Sequence, residues 1–380
     1  MDLAALGIVS DMMDTRDLDN NYIINHGLSN IKNKMFKSIL EKQSYSVTST
    51  TNPNKIDIAF YVTPLINAVI RAGSIEENEM LFEGFINPGS TAIIERVWRG
   101  ETLTEDYYTN IARIASNIRG KQNRQKEKAM EFLDERIQER GLDENAILIV
   151  TTSKDDKITV PKTMTGLVAM ELVKKYNKPV LVLRPRTLNG KLHYYGSGRG
   201  NKTGGFNSFR DALNQSEIVV FAQGHDMAFG TGVAADKKQD LIDYLNLHYG
   251  HIDFGSSNVE VDYIFENGDI DVKMLKDFAE HIEIYGNSIA QPKFAFKMLL
   301  SKDNLAVIGE KRNTVRINYK GVTFIKFRAT ELAEEIDNLT GLVEVTLIGR
   351  SQINEFNGNR NVQVIIDNIK LEKKEIRMLF

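Results

Sequence analysis

Gly196-Ser197-Gly198-Arg199-Gly200-Asn201-Lys202-Thr203-Gly204-Gly205 is the stretch on which the reading of this chain turns. Its glycines let a backbone approach a ligand closely, and Arg199 and Lys202 add positive charge, a combination that suits a phosphate. The same composition also suits a flexible surface hairpin. The stretch imitates the phosphate loop of nucleotide hydrolases, but Asn201 stands where that loop needs glycine before Lys202-Thr203, and no acidic metal-holding strand accompanies it. That class is therefore set aside.

Upstream, the apolar run Ala146 to Val150 predicts a strand, residues 163–176 an amphipathic helix, and Pro179 to Leu183 a second strand. This β-α-β order predicts a parallel pair inside an α/β domain. Downstream come a helix near 206–214, a strand at 218–222 and a helix near 235–247. Between the last two, Gln223-Gly224-His225-Asp226-Met227-Ala228-Phe229-Gly230 reads as a loop that places His225 between a glycine and a helix start. There an imidazole can meet a phosphate oxygen or a metal, although a lone histidine is more often structural.

Before this domain, residues 105–140 predict one long polar helix with Ile114, Ile118, Met130, Leu133 and Ile137 on its apolar stripe and Gly141 as its stop. After about residue 259 the character changes. Strands at 259–265, 293–300, 304–309, 314–320, 322–328, 342–348 and 361–367, with one helix at 272–282, predict an all-β module, and a closed five-strand barrel binding oligonucleotide is an economical reading. Alternation from Val315 to Lys320 is read as putting Arg316 and Lys320 on a basic face that Lys326 and Arg328 continue. Tyr319 is read as core and Phe356 as a stacking alternative. In the N-terminal region, Leu3 to Asp11 is a small apolar run ending in an acid, residues 28–45 have helical spacing, and 56–62 read as a short strand before Pro64.

Several of these segments, in this order, resemble the RecJ-like single-strand-specific DNA exonucleases of the DHH phosphoesterase superfamily. The Ser-Gly-Arg and Gly-His pair, with Thr165-Gly166 and Lys178 to Leu183 before it, looks like the DHH-associated domain. Asn123-Arg124-Gln125 resembles the connecting helix, and the run Leu3 to Asp14 the last motif of the catalytic domain. The segment Tyr61 to Arg71 matches a family segment at Pro64, Asn67, Ala68 and Arg71, with Leu65 where arginine is usual and Ile70 where glycine is usual. Tyr285-Gly286, Pro292, Phe294, Gly349-Arg350, Ile353 to Gly358 and Gln363 are similar to the barrel that such enzymes carry.

The resemblance implies an α/β fold class with four parts. They are a partial DHH domain at 1–104, a connecting helix at 105–142, an α/β DHH-associated domain at 143–256 and an OB-like β-barrel at 257–380. It implies 5′-to-3′ exonuclease chemistry on single-stranded DNA in repair and recombination, run by two Mn²⁺ or Mg²⁺ ions. Asp11 corresponds to a metal ligand. Ser197, Gly198 and Arg199, with His225, Asn67 and Arg71, would hold DNA phosphates, and Arg316, Lys320, Lys326, Arg328 and Arg350 would receive the strand.

The family's early Asp-x-Asp pair and its Asp-His-His triplet do not occur as such. Asp17-Leu18-Asp19 and Asp269-Ile270-Asp271 have the pair's spacing but read as solvated turns, and His248 and His251 as surface residues. Two expectations follow. Either a separate polypeptide carries the missing motifs and completes a nuclease, or the chain is an inactive DNA-binding or replication-scaffold relative.

Composition agrees with a globular protein, at 42% hydrophobic and 26% charged residues. The absence of cysteine removes disulfides, thiolate zinc sites and a cysteine nucleophile, which leaves oxygen and imidazole donors for any metal. A net charge of −3 places any DNA contact on local basic surfaces. No secretory leader or membrane span is read from the sequence, and a cytoplasmic location is expected.

Overall fold

A computed structural model describes the chain apart from residues 202–205, 255–258, 287, 357–358 and 374–380. Lys202 and Gly358 thus lie outside the described residues, as does the side chain of Phe356. The chain forms two compact units. One holds Lys32–Tyr45 and Tyr61–Asn258, the other Met1–Ile31, Ser46–Phe60 and Val259–Phe380.

The first unit is organised by the long helix Tyr107–Glu139, about 50 Å of continuous helix at 1.5 Å per residue. Asp106 caps it by accepting from the amides of Tyr108 and Thr109, and Gly141 stops it in the left-handed conformation at φ 57°. Its first half packs against the helices Lys34–Lys42, Thr63–Ala72 and Ile75–Ile86. A hairpin of β1 (Ile93–Trp98) and β2 (Glu101–Asp106) turns through Arg99 and Gly100, both at positive φ. The helix's second half buries Ala129, Leu133 and Ile137 in the core of the α/β sheet.

That sheet has the order β3-β4-β5-β7-β6, with β3 Leu148–Thr151, β4 Val180–Leu188, β5 Lys191–Arg199, β6 Val219–His225 and β7 Ala228–Ala234. The expected parallel pair is β3 with β4, connected through the helix Thr165–Tyr176, and the remaining ladders are antiparallel. On one face, Leu181, Leu183, Ala222, Phe229 and Val233 pack against the helices Phe209–Gln215 and Lys238–Tyr249. On the other, Val168, Ala169 and Leu172 of the helix Thr165–Tyr176 cover Leu148, Val150, Val180 and Val182.

The second unit packs the helices Asp2–Ser10 and Leu18–Ser29 together through Ala5 and Gly27, where a side chain at 27 would strike the Ala5 methyl. Its sheet has the order β10-β11-β12-β14-β13-β9-β8, from β8 (Tyr263–Phe265), β9 (Phe294–Ser301), β10 (Leu305–Ile308), β11 (Thr314–Tyr319), β12 (Val322–Phe327), β13 (Leu342–Phe356) and β14 (Asn359–Lys373). Residues 294–308 are interrupted only by a short 3₁₀ turn, Lys302–Asn304. Their first part pairs with β13 and their last with β11, so the sheet order returns to the segment it left. Phe294, Phe296, Val315, Ile317, Phe324, Val345, Leu347 and Val364 fill its core, with Leu275 and Ile336 from two flanking helices.

Three local expectations are corrected. Residues 56–62 are helical rather than extended, because Asn54 and Asp57 form a reciprocal cap and Pro64 sits at the start of the next helix. The helix expected over 28–45 breaks between Ser29 and Lys34, where Asn33 caps a new one. A further helix, Thr330–Asp337, stands beside the one foreseen near 272–282.

Candidate nucleic-acid interface

The segment from Gly196 to Arg199 is the second half of β5, not a loop. Alternation along that strand sends Tyr195, Ser197 and Arg199 to one face and Tyr194, Gly196 and Gly198 to the other. Gly198 is buried, and a Cβ there would run into the Phe229 ring. It serves packing, although its carbonyl accepts from Arg199 Nη1 at 2.7 Å.

On the other face the Arg199 guanidinium lies against the first turn of the helix Thr165–Tyr176. A Cβ at Gly166 would sit 2.5 Å from Arg199 Nη2 and 3.5 Å from Ser197 Oγ, so glycine is what lets the guanidinium settle there. The Thr165 hydroxyl is 2.9 Å from that of Ser197 and donates to the Lys162 carbonyl at 3.1 Å. No side chain caps this helix start. Burial first, and then the positive charge of Arg71, push the Arg199 guanidinium below its ordinary value. Among the described residues, no carboxylate pairs with Arg199 or Arg71. Arg199 lies at the positive end of a helix dipole and feels the like charge of Arg71, and an anion relieves that repulsion.

Asn67 and Arg71 share one face of the helix Thr63–Ala72, one turn apart. His225 is exposed at the end of β6, and the residue after the turn opens β7 rather than the expected helix. His225 pairs with Ala228, which pairs on its other side with Arg199. The imidazole and the guanidinium thus share a cross-strand row, about 10 Å apart between backbones. Arg71, Ser197, Arg199 and His225 all belong to this region of one unit.

The basic residues of the second unit do not form a single face. Arg316 is exposed on β11, whereas Lys326 stands opposite Val315 on the core side of β12. There it is half-buried, its ammonium donates to the Asp367 carbonyl at 2.6 Å, and burial lowers its pKa. Arg350 pairs with the Asp367 carboxylate at 3.1 Å. Asp367 is the extra residue where the β13–β14 register shifts, so Lys326 and Arg350 both hold a bulge. Lys320 and Arg328 are exposed at positive-φ positions, and Lys320 lies 5.7 Å from the centre of the Tyr319 ring. Tyr319 is half-buried and packs against the core.

Asp11 is exposed just after the helix Asp2–Ser10. Among the described residues no group of three or more His, Asp or Glu side chains could hold a metal ion. As a fit for a two-metal centre, the described residues offer Asp11 as a single oxygen donor, and no hydrolytic step is derived from it. No described helix is long and apolar enough to cross a membrane.

Sequence reasoning missed the contacts of Thr165 and Gly166 with Ser197 and Arg199, and those of Asp367 with Lys326 and Arg350. The large–small alternation from Tyr194 to Arg199 was the available signal for a strand.

Residues 261–368 match the family described as the RecJ OB domain. Over 99% of its length the chain is 28% identical to a Bacillus subtilis protein described as an SPbeta prophage-derived single-strand DNA-specific exonuclease, YorK. Over 96% it is 22% identical to the single-stranded-DNA-specific exonuclease RecJ of Bacillus subtilis. The chain spans 65% of the first of these relatives and 43% of the second. In fold, 98% of it superposes on RecJ of Thermus thermophilus, solved with Mn²⁺ (TM-score 0.68) and with Mg²⁺ (TM-score 0.66), at 16% identity and over 49% and 52% of those chains. The chain is RecJ-like in sequence and in fold along nearly its whole length, with a RecJ OB domain at residues 261–368.

Proposed function

We propose that this chain carries the strand-gripping part of a RecJ-like single-strand-specific DNA exonuclease, and that Arg199 holds the phosphate at the 5′ end of the strand. The observation that carries the proposal is the Arg199 guanidinium seated beside Ser197 on the uncapped start of the helix Thr165–Tyr176, with the positive charge of Arg71 felt there and no carboxylate paired with Arg199 among the described residues. Arg199 supplies a planar donor fork, Ser197 a hydroxyl, and Arg71 and His225 further donors from the same unit. Asn67 extends that face. The OB domain contributes contacts to the strand through the exposed Arg316, Lys320 and Arg328, with Lys326, Arg350 and Gly198 in supporting positions.

In this reading Asp11 is one ligand of a Mn²⁺ or Mg²⁺ centre whose other donors come from a further segment or a separate polypeptide. When bound, such ions activate water and stabilise the leaving oxygen. The competing reading is a relative that holds DNA without cutting it, and Mn²⁺-dependent degradation that appears when the segment or polypeptide carrying the other donors is added, and is abolished by Asp11→Ala, would decide against it.

The grip is tested by binding 5′-phosphorylated and 5′-hydroxyl oligonucleotides to the full chain. Arg199→Ala is expected to weaken binding of the phosphorylated strand by about 10- to 100-fold, the worth of hydrogen bonds to a charged group. Lys174→Ala, an exposed cation in the last turn of the helix Thr165–Tyr176, should leave binding unchanged. Equal losses in both variants would remove Arg199 from this role.

A further inference from the structure

The face of the α/β sheet that carries Ser197 and Arg199 continues past them in register. Row by row across β4, β5, β7 and β6 it presents Val180, Arg199, Ala228 and His225, then Val182, Ser197, Gly230 and Gln223, then Arg184, Tyr195, Gly232 and Phe221. Every residue that the central strand β7 contributes to these rows is small. Its flanks are polar at one end and aromatic at the other.

The aromatic end is built, not incidental. The Tyr195 ring lies over Gly232 so closely that any Cβ there would collide with it, and the Phe221 ring is beside it, stacked at 5.9 Å between centroids and 27° between planes. The His193 ring stacks with that of Tyr195 at 5.9 Å between centroids, and the Arg186 guanidinium stands 5.7 Å from the Tyr195 centroid. Both rings are half-buried. The buried apolar core on this side of the sheet takes its members from β3, β4, two helices and the loop residue Val160, and none from β5, β6 or β7. The rings therefore pave a part of the sheet that this core does not use.

We propose that this strip seats the terminal nucleotide of a 5′-phosphorylated single strand. The phosphate rests on Ser197 and Arg199, the sugar passes over Gly230, and the base stacks on the Tyr195–Phe221 pavement. The proposal rests on the reading that Arg199 holds the 5′ phosphate. Two residues of strand separate Ser197 from Tyr195, about 7 Å, which matches the reach from a nucleotide's phosphate to its base. Stacking tolerates any base, as an enzyme that moves along a strand requires. Arg184 and Arg186, on the same face beside the rings, are placed for the next phosphate.

The test uses the full chain with 5′-phosphorylated oligonucleotides whose first nucleotide is either intact or abasic, and a third oligonucleotide with a 5′ hydroxyl. The native protein is expected to bind the intact strand about tenfold more tightly than the abasic one, the size of one base–aromatic stack. Tyr195→Leu, and independently Phe221→Leu, should abolish that difference while keeping the preference for phosphate over hydroxyl. A 2-aminopurine at the first position should be quenched on binding to the native protein and not to Tyr195→Leu. Equal affinity for intact and abasic strands, with the phosphate preference preserved, would overturn the base seat and leave the phosphate grip standing. Loss of the phosphate preference in the native protein would remove the grip itself. Should one leucine variant fail to reach the native unfolding midpoint, the other and the abasic comparison still decide the question.

Discussion

The hydroxyl of Thr165 stands 2.9 Å from that of Ser197 and at the same time donates to the Lys162 carbonyl. A hydroxyl has one proton to give, so in this arrangement Ser197 donates to Thr165 and turns its own lone pairs outward. Receiving a phosphate oxygen requires Ser197 to release Thr165. Thr165→Val removes the competing acceptor and should leave phosphate-dependent binding intact or slightly tighter. Ser197→Ala should weaken it severalfold, less than Arg199→Ala. Isothermal titration with a 5′-phosphorylated oligonucleotide checks the order, and a Thr165→Val loss as large as that of Ser197→Ala would contradict the relay.

Gly166→Ala separates grip from stability. Alanine is the better helix former by up to about 1 kcal/mol, yet its methyl would stand 2.5 Å from Arg199 Nη2. The guanidinium is the flexible end and moves. The variant is expected to unfold at the native temperature or above it and to bind the phosphorylated strand about tenfold more weakly. A destabilised variant with native binding would show that the guanidinium is not seated on this turn.

Arg316 and Lys326, grouped by charge in the sequence, are set apart by register. Arg316→Ala should lower strand affinity and reduce the salt slope of binding by about one, as for a single phosphate contact. Lys326→Met should leave the salt slope unchanged. Its effect belongs to stability, since the ammonium holds the Asp367 carbonyl from a half-buried position. Binding isotherms over a series of salt concentrations, beside denaturant unfolding, distinguish the two.

Tyr176 gives a pH prediction. Burial, and then its hydrogen bond to Asp134, push its phenol up to about 12. Because the folded value lies above the ordinary one near 10, the contribution is complete below about pH 10 and is lost as pH rises through about 12. The unfolding free energy of the native chain should exceed that of Tyr176→Phe by about 1 kcal/mol near neutrality. The gap should close over that alkaline interval, and a gap independent of pH would place the phenol in a different environment.

Period and composition made much of the fold legible: the β-α-β passage, the long helix with its Gly141 stop, and the change to a strand-rich module after residue 259 all follow from local pattern, although the strands expected at 342–348 and 361–367 run on to Leu342–Phe356 and Asn359–Lys373. Glycine misleads at the site. In β5 and β7 it makes room for the rings of Phe229 and Tyr195, a tertiary reason that no local signal carries, so a strand reads as a loop. The alternation Ile56, Ile58, Phe60 and Val62 misleads in the opposite sense, because a cap and a proline outweigh it. The charge of Lys326 was legible, but its direction depends on pairing with Val315 and on the bulge at Asp367.

The chain passes between its two compact units four times, after Ile31, Tyr45, Phe60 and Asn258. A single cut therefore cannot part them into intact pieces. Residues 259–380 expressed alone would lack two stretches of their own unit, including the Thr15 amide that donates to Ser288 Oγ and the Lys55 ammonium that reaches the Ile284 carbonyl. Protease nicks at one crossing should leave the fragments associated, and dissection of the protein calls for coexpressed segments or a rejoined chain order rather than truncation.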